Sequence, residues 1–105
     1  FNKSTGRRFT LDTAHLSMYC AYAKLDFLSE YRSLIPVTAH YHMSDATATN
    51  GEGVAMGTGD VDFQKVMQGI KADQSFIVET WQGHKNYGEG FDRDLRFLAL
   101  CDKLK

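Results

Sequence analysis

Three short apolar runs with strand parity alternate with three runs of helical period along this chain, and that alternation is the first guide to its fold. Arg8 to Asp12, Val37 to Asp45 and Ser75 to Trp81 are the predicted strands. In the first, Phe9 and Leu11 alternate with Thr10 and Asp12; in the second, Val37, Ala39, Tyr41 and Met43 oppose Thr38, His40, His42 and Ser44. In the third, Phe76, Val78 and Thr80 oppose Ser75, Ile77, Glu79 and Trp81. A helix is predicted from about Tyr22 to Leu34, with Phe27, Leu28, Tyr31 and Leu34 or Ile35 on one side, and Pro36 stops it. Asp60 reads as the N-cap of a second helix whose stripe is Phe63, Val66, Met67 and Ile70, with Lys71-Ala-Asp-Gln74 as its exit. The last helix carries Phe91, Leu95, Leu98, Cys101 and Leu104 inward, acids from Glu89 to Asp92 in its first turn, and Lys103 and Lys105 at its end. Residues 46–59 read as a long flexible loop and 82–90 as a polar, glycine-rich one.

This order implies an α/β fold with a parallel sheet, because strands so short and apolar are expected to be covered by helical crossovers. Parallel strands send their C-terminal ends to one rim, which gathers Asp12, His42 and Glu79. Each has an ordinary explanation alone: Asp12 as a helix N-cap with His15 on the surface, His42 as a satisfied core histidine, Glu79 as a solvated rim residue. Together they point to a metal or acid/base site, since unpaired imidazoles on a buried strand cost a few kcal/mol. Two carboxylates and one imidazole suit Mn²⁺, Mg²⁺, Co²⁺, Fe²⁺ or Zn²⁺ alike. His40, on the same face as His42, either supports the site from the substrate side or bonds to a neighbouring strand.

The totals narrow the function. At 105 residues the chain is at most one domain and falls short of the roughly 250 residues of an eight-unit barrel. With 12 Lys+Arg against 13 Asp+Glu, neither nucleic acid nor an anionic membrane is an expected partner. Cys20 and Cys101 lack CxxC spacing and read as reduced thiols, with a long-range disulfide the alternative. No apolar run approaches membrane-spanning length, so a soluble, cytoplasmic protein is expected, and the start at Phe1 suggests a piece of something longer. Gly51-Glu-Gly53 and Gly57-Thr-Gly59 complete neither a Walker A motif nor a GxGxxG signature, which favours a mobile site loop over a phosphate cradle.

Asp12-Thr-Ala-His15, His40-Tyr-His42-Met-Ser-Asp45, Met56-Gly-Thr-Gly-Asp-Val-Asp-Phe63 and Ile77-Val-Glu79 together resemble the closing units of the xylose-isomerase-like TIM barrels. That superfamily includes sugar epimerases, hydroxypyruvate isomerases, inosose dehydratases and endonuclease IV. The resemblance implies the last three βα units of a (β/α)8 barrel. It implies Asp12, His42 and Glu79 as metal ligands, Glu79 also as one of two proton-exchanging glutamates, and His15 as a holder of substrate oxygens. The second glutamate would lie on a preceding strand, and Thr47 to Thr49 lack the arginine usual after the metal histidine. Trp81-Gln-Gly-His-Lys-Asn-Tyr-Gly-Glu-Gly-Phe91 is similar to a barrel domain attached to sialic-acid-type (nonulosonate) synthases. It implies an amino-sugar or nonulosonate precursor held by His84, Lys85 and Asn86; the plain alternative is a glycine turn.

Three functions follow: a metal-dependent sugar or sugar-phosphate isomerase or epimerase, a non-catalytic sugar-binding or architectural module of a synthase, and, more remotely, an endonuclease IV-like phosphodiester hydrolase. Three βα units leave exposed sheet edges, which the remainder of a barrel or another copy would cover.

Overall fold

The three predicted strands do form one parallel sheet, because each is followed by chain long enough to cross back before the next begins. The computed structural model describes residues 8–81 and 83–103. Strands β1 (Phe9–Asp12), β2 (Thr38–Met43) and β5 (Ser75–Val78) lie in the order β1-β2-β5, with β2 central and parallel to both neighbours. Between β2 and β5 the chain makes an antiparallel hairpin, β3 (Asp45–Thr47) and β4 (Gly51–Val54). The helices are α1 (Thr13–Ala23), α2 (Phe27–Leu34), α3 (Phe63–Gly69) and α4 (Lys85–Lys103), with a 3₁₀ turn at Ile35–Val37.

Strand parity decides which face is covered. Tyr41 and Met43 are fully buried and pack with Tyr31, Phe63, Val66 and Leu98 in one apolar cluster. The opposite face carries His40 and His42 beside Thr10, Asp12, Ser75 and Ile77, as the register requires. Ile77 is 47 % exposed, so this face is open to solvent rather than doubly covered as the apolar strand pattern suggested. Gln74 ties the opposite end of the sheet: its Nε2 donates to the Ile35 and Thr38 carbonyls at 3.0 and 2.8 Å, and its Oε1 accepts from the Lys71 amide.

Several elements differ from the sequence expectation. The helix expected from Tyr22 is two helices. Asp12 accepts from the His15 amide and starts α1 at Thr13, well before Tyr22, and Lys24, at φ 59°, ψ 44°, ends it in the left-handed cap geometry. Asp26 then caps α2 through the Ser29 amide. The helix cap in the crossover from β2 to β5 is Asp62, through the Lys65 amide, whereas Asp60 accepts from the Ala48 amide at 2.7 Å. The third strand stops at Val78, although the Glu79 amide still donates to the Met43 carbonyl at 2.9 Å. Leu95, expected inside, is 49 % exposed, while Asp94 beside it is fully buried. Residues 86–88 carry left-handed backbone angles, so the right-handed part of α4 follows Gly88. Leu104, Lys105 and Gln82 lie outside the described residues. Both cysteines are free and buried, and burial pushes both thiols above their ordinary pKa. No helix among the described residues is long and apolar enough to cross a membrane.

The loop expected over residues 46–59 is the largest difference. Asp45, 0 % exposed, accepts four backbone N–H groups: Ala46 and Val61 on Oδ1 at 2.9 and 3.0 Å, Gly57 and Gly59 on Oδ2 at 2.9 Å each. The chain is thereby folded around one carboxylate. A side chain at Gly59 would collide with that carboxylate and with the Ala46 carbonyl, so the position needs glycine.

Candidate metal centre

Asp12, His42 and Glu79 are brought together because two of them share a register and the third follows one step later. Asp12 pairs with His42 across β1 and β2, His42 pairs with Ile77 across β2 and β5, and Glu79 lies two residues further on the same parity. Thr13 secures the junction. Fully buried, it donates through Oγ1 to the Ser44 carbonyl at 2.7 Å and accepts from the Ser44 amide at 3.0 Å. The start of α1 is thus bolted to the end of β2, which holds Asp12 beside His42.

One ligand atom from each of Asp12, His42 and Glu79 lies within 4.8 Å of the other two. His42 Nδ1 stands 2.9 Å from Glu79 Oε1. A second group overlaps the first at Asp12: His15 Nδ1 is 3.0 Å from Asp12 Oδ2, and His15 Nε2 is 3.2 Å from Glu52 Oε1. Glu52 comes from β4, which the loop expectation gave no means of placing. Among the described residues every ion pair of Asp12, Glu52 and Glu79 is to a histidine. Three carboxylates thus crowd together, and none of them forms an ion pair with a Lys or Arg among the described residues. Two unit charges about 4–5 Å apart repel by roughly 3–4 kcal/mol at an effective dielectric near 20, and by less at exposed Glu52 and Glu79. The donor set fits a divalent cation: hard carboxylate oxygens and one imidazole, on a rim open to solvent.

No family model matches the chain, and no curated protein matches it significantly.

Beside the cluster is an open cleft of about 610 Å³, lined by Glu52, Gly53, Ile77, Glu79, Trp81 and Phe91 among others. Glu79 and Glu52 each serve both the cluster and the cleft. Trp81 stands at its side with 73 % of its surface exposed. Its amide donates to the Gly53 carbonyl at 3.1 Å, and a Cβ at Gly53, where φ is 80°, would press on Trp81. The hairpin and the chain after β5 therefore meet at a position that favours glycine.

The other expected site residues are placed differently. His40 bonds through Nδ1 to Ser75 Oγ at 2.7 Å and meets His42 edge to face, with ring centroids 5.4 Å apart. It is a satisfied strand histidine that packs against the cluster histidine. Lys85 and Asn86 line a separate hollow of about 280 Å³ with Trp81 and Arg93, and His84 is exposed. Asn86 donates to Glu89 Oε2 at 3.1 Å. Sequence reasoning missed Glu52, Asp94 and the cleft role of Trp81. Asp94 is buried under the cleft wall, where it accepts from Thr80 Oγ1 and from the Met56 amide. Parity on the third strand had already put Trp81 on the Glu79 side; nothing in a glycine-rich stretch marked Glu52.

Proposed function

We propose that this chain is the closing part, the last three βα units, of a (β/α)8 barrel of the xylose-isomerase-like kind. In this reading it belongs to a divalent-metal-dependent isomerase or epimerase of a sugar or sugar phosphate. The observation that carries it is the convergence of Asp12, His42 and Glu79 from three adjacent parallel strand ends, beside a cleft of sugar size.

A divalent cation held there supplies Lewis acidity toward a carbonyl and its neighbouring hydroxyl, acidifying the carbon between them. The chain's own residues do the rest. Glu79 borders the cleft and takes or returns the carbon-bound proton. His42, 2.9 Å from it, holds the carboxylate in place. The exposed indole of Trp81 offers a flat apolar surface to the C–H face of a sugar ring. Lys85 and Asn86, in the hollow on the other side of Trp81, are the candidates for a phosphate or outlying hydroxyls of an amino-sugar or nonulosonate precursor.

A second reading, a non-catalytic sugar-binding module of a synthase, draws on one specific feature: residues 47–49 hold no arginine. Phosphodiester hydrolysis has least support, because residues 46–59 contribute only Glu52 as a metal-binding side chain.

Elemental analysis of protein purified without chelator, beside His42→Ala, tests the metal. Near-stoichiometric Mn, Co, Fe or Zn that is lost in the variant is expected; no metal in either form overturns the reading. Incubation of the metal-loaded protein with a panel of ketoses and sugar phosphates in D₂O then separates the two functions. Solvent deuterium entering the substrate indicates the isomerase, and saturable binding without exchange indicates the module.

A further inference from the structure

The tip of the β3–β4 hairpin is the turn Ala48, Thr49 and Asn50, and Asn50 precedes Gly51 in the only Asn-Gly pair of the chain. Closure of the hairpin requires that glycine. Thr47 pairs with Gly51, and a Cβ at Gly51 would collide with the Thr47 hydroxyl and carbonyl. The same lack of a side chain leaves the Gly51 nitrogen unshielded toward the residue before it. Asn50 is exposed in the turn, and its carboxamide has no hydrogen-bond partner among the described residues. Asparagine is a thermolabile side chain, and an untethered one ahead of a bare amide is placed for ring closure.

We propose that Asn50 is a site of spontaneous deamidation in the folded protein, and that the isoaspartyl product unseats Glu52. The Gly51 backbone nitrogen gives its proton to solvent base and bonds to Asn50 Cγ. The Cγ–Nδ2 bond breaks, ammonia leaves, and a five-membered succinimide remains. Water then opens the ring at either carbonyl. Opening at the side-chain carbonyl gives aspartate; opening at the main-chain carbonyl leaves Gly51 joined through Cγ, an isoaspartyl linkage with one extra carbon in the main chain. Either product adds one negative charge, and none of these steps uses a metal or a substrate. Glu52 is one residue beyond the new linkage. It pairs with Ala46 in the hairpin, stands 3.2 Å from His15 Nε2 through Oε1, and lines the cleft. A main chain lengthened between residues 50 and 51 disturbs that pairing and draws the carboxylate away from His15, whereas aspartate keeps the chain length and the pairing.

Ageing the wild type and Asn50→Gln at mildly alkaline pH, each folded and in urea, with peptide mapping by mass spectrometry, tests this. The expected result is a gain of one dalton at Asn50 in the folded wild type, with isoaspartate the major product. Its rate should lie within tenfold of that in the urea-unfolded chain, and Asn50→Gln should show no gain at that position. A folded protein that deamidates more than tenfold more slowly than the unfolded chain overturns the site, as does a gain confined to Asn86. Anion exchange separates the aged forms for hydrogen exchange. Amides of residues 51–54 should exchange at least tenfold faster in the isoaspartyl form than in the aspartyl form. Equal protection in the two forms overturns the effect on Glu52.

Discussion

Replacing Asp45 by Asn changes one atom type and tests the central device of the hairpin. The carboxylate receives two amides on each oxygen, Ala46 and Val61 on Oδ1, Gly57 and Gly59 on Oδ2. An asparagine has one accepting oxygen and one NH₂ group, so either flip keeps two bonds and points a donor at two donors. Each stranded amide costs about 1–3 kcal/mol, less where water reaches Gly57, which gives about 3 kcal/mol for the substitution. In a domain near 100 residues that lowers the Tm by about 12–24 °C. Urea or thermal unfolding followed by far-ultraviolet circular dichroism measures it. Hydrogen exchange at the Gly57, Gly59 and Val61 amides locates it, and these three should lose protection first. An Asp45→Asn protein within about 0.5 kcal/mol of wild type, with unchanged protection at those amides, would refute the assigned role.

Two further expectations concern stability elsewhere. The Tyr31 hydroxyl, 1 % exposed, donates to the Val66 carbonyl at 2.7 Å, and burial together with the neighbouring Tyr41 pushes its pKa well above the ordinary value of 10.0. The unfolded chain then holds fewer protons than the folded one above pH 10, so this contribution is complete below that pH and is lost as pH rises through it. Urea titrations from pH 8 to 11 should show that decline reduced in Tyr31→Phe, which should also cost about 1 kcal/mol at neutral pH; an identical slope in both proteins would count against the mechanism. Lys24 occupies the left-handed cap of α1 at φ 59°, where glycine is unstrained. Lys24→Gly should therefore raise stability by roughly 0.5–1 kcal/mol in a thermal melt, and a loss of that size would mean that the Lys side chain contributes there.

Parity and spacing by themselves determined the strands, their parallel sense and the meeting of Asp12, His42 and Glu79. A period of two assigns each residue to a face, and parallel strands must end on one rim. Asp12 also showed how two readings can hold at once, since it caps α1 and joins the cluster. What the sequence did not determine depends on contacts between distant segments. The buried carboxylate of Asp45 turns an apparently featureless Gly/Thr/Ala stretch into a hairpin, because four amides spread from Ala46 to Val61 find one acceptor. That hairpin alone carries Glu52 to His15. Asp94 displaced Leu95 from the interior because Thr80 and the Met56 amide, remote in sequence, need its oxygens. Local periodicity records which side of an element is apolar; only the tertiary structure decides which buried polar groups find one another.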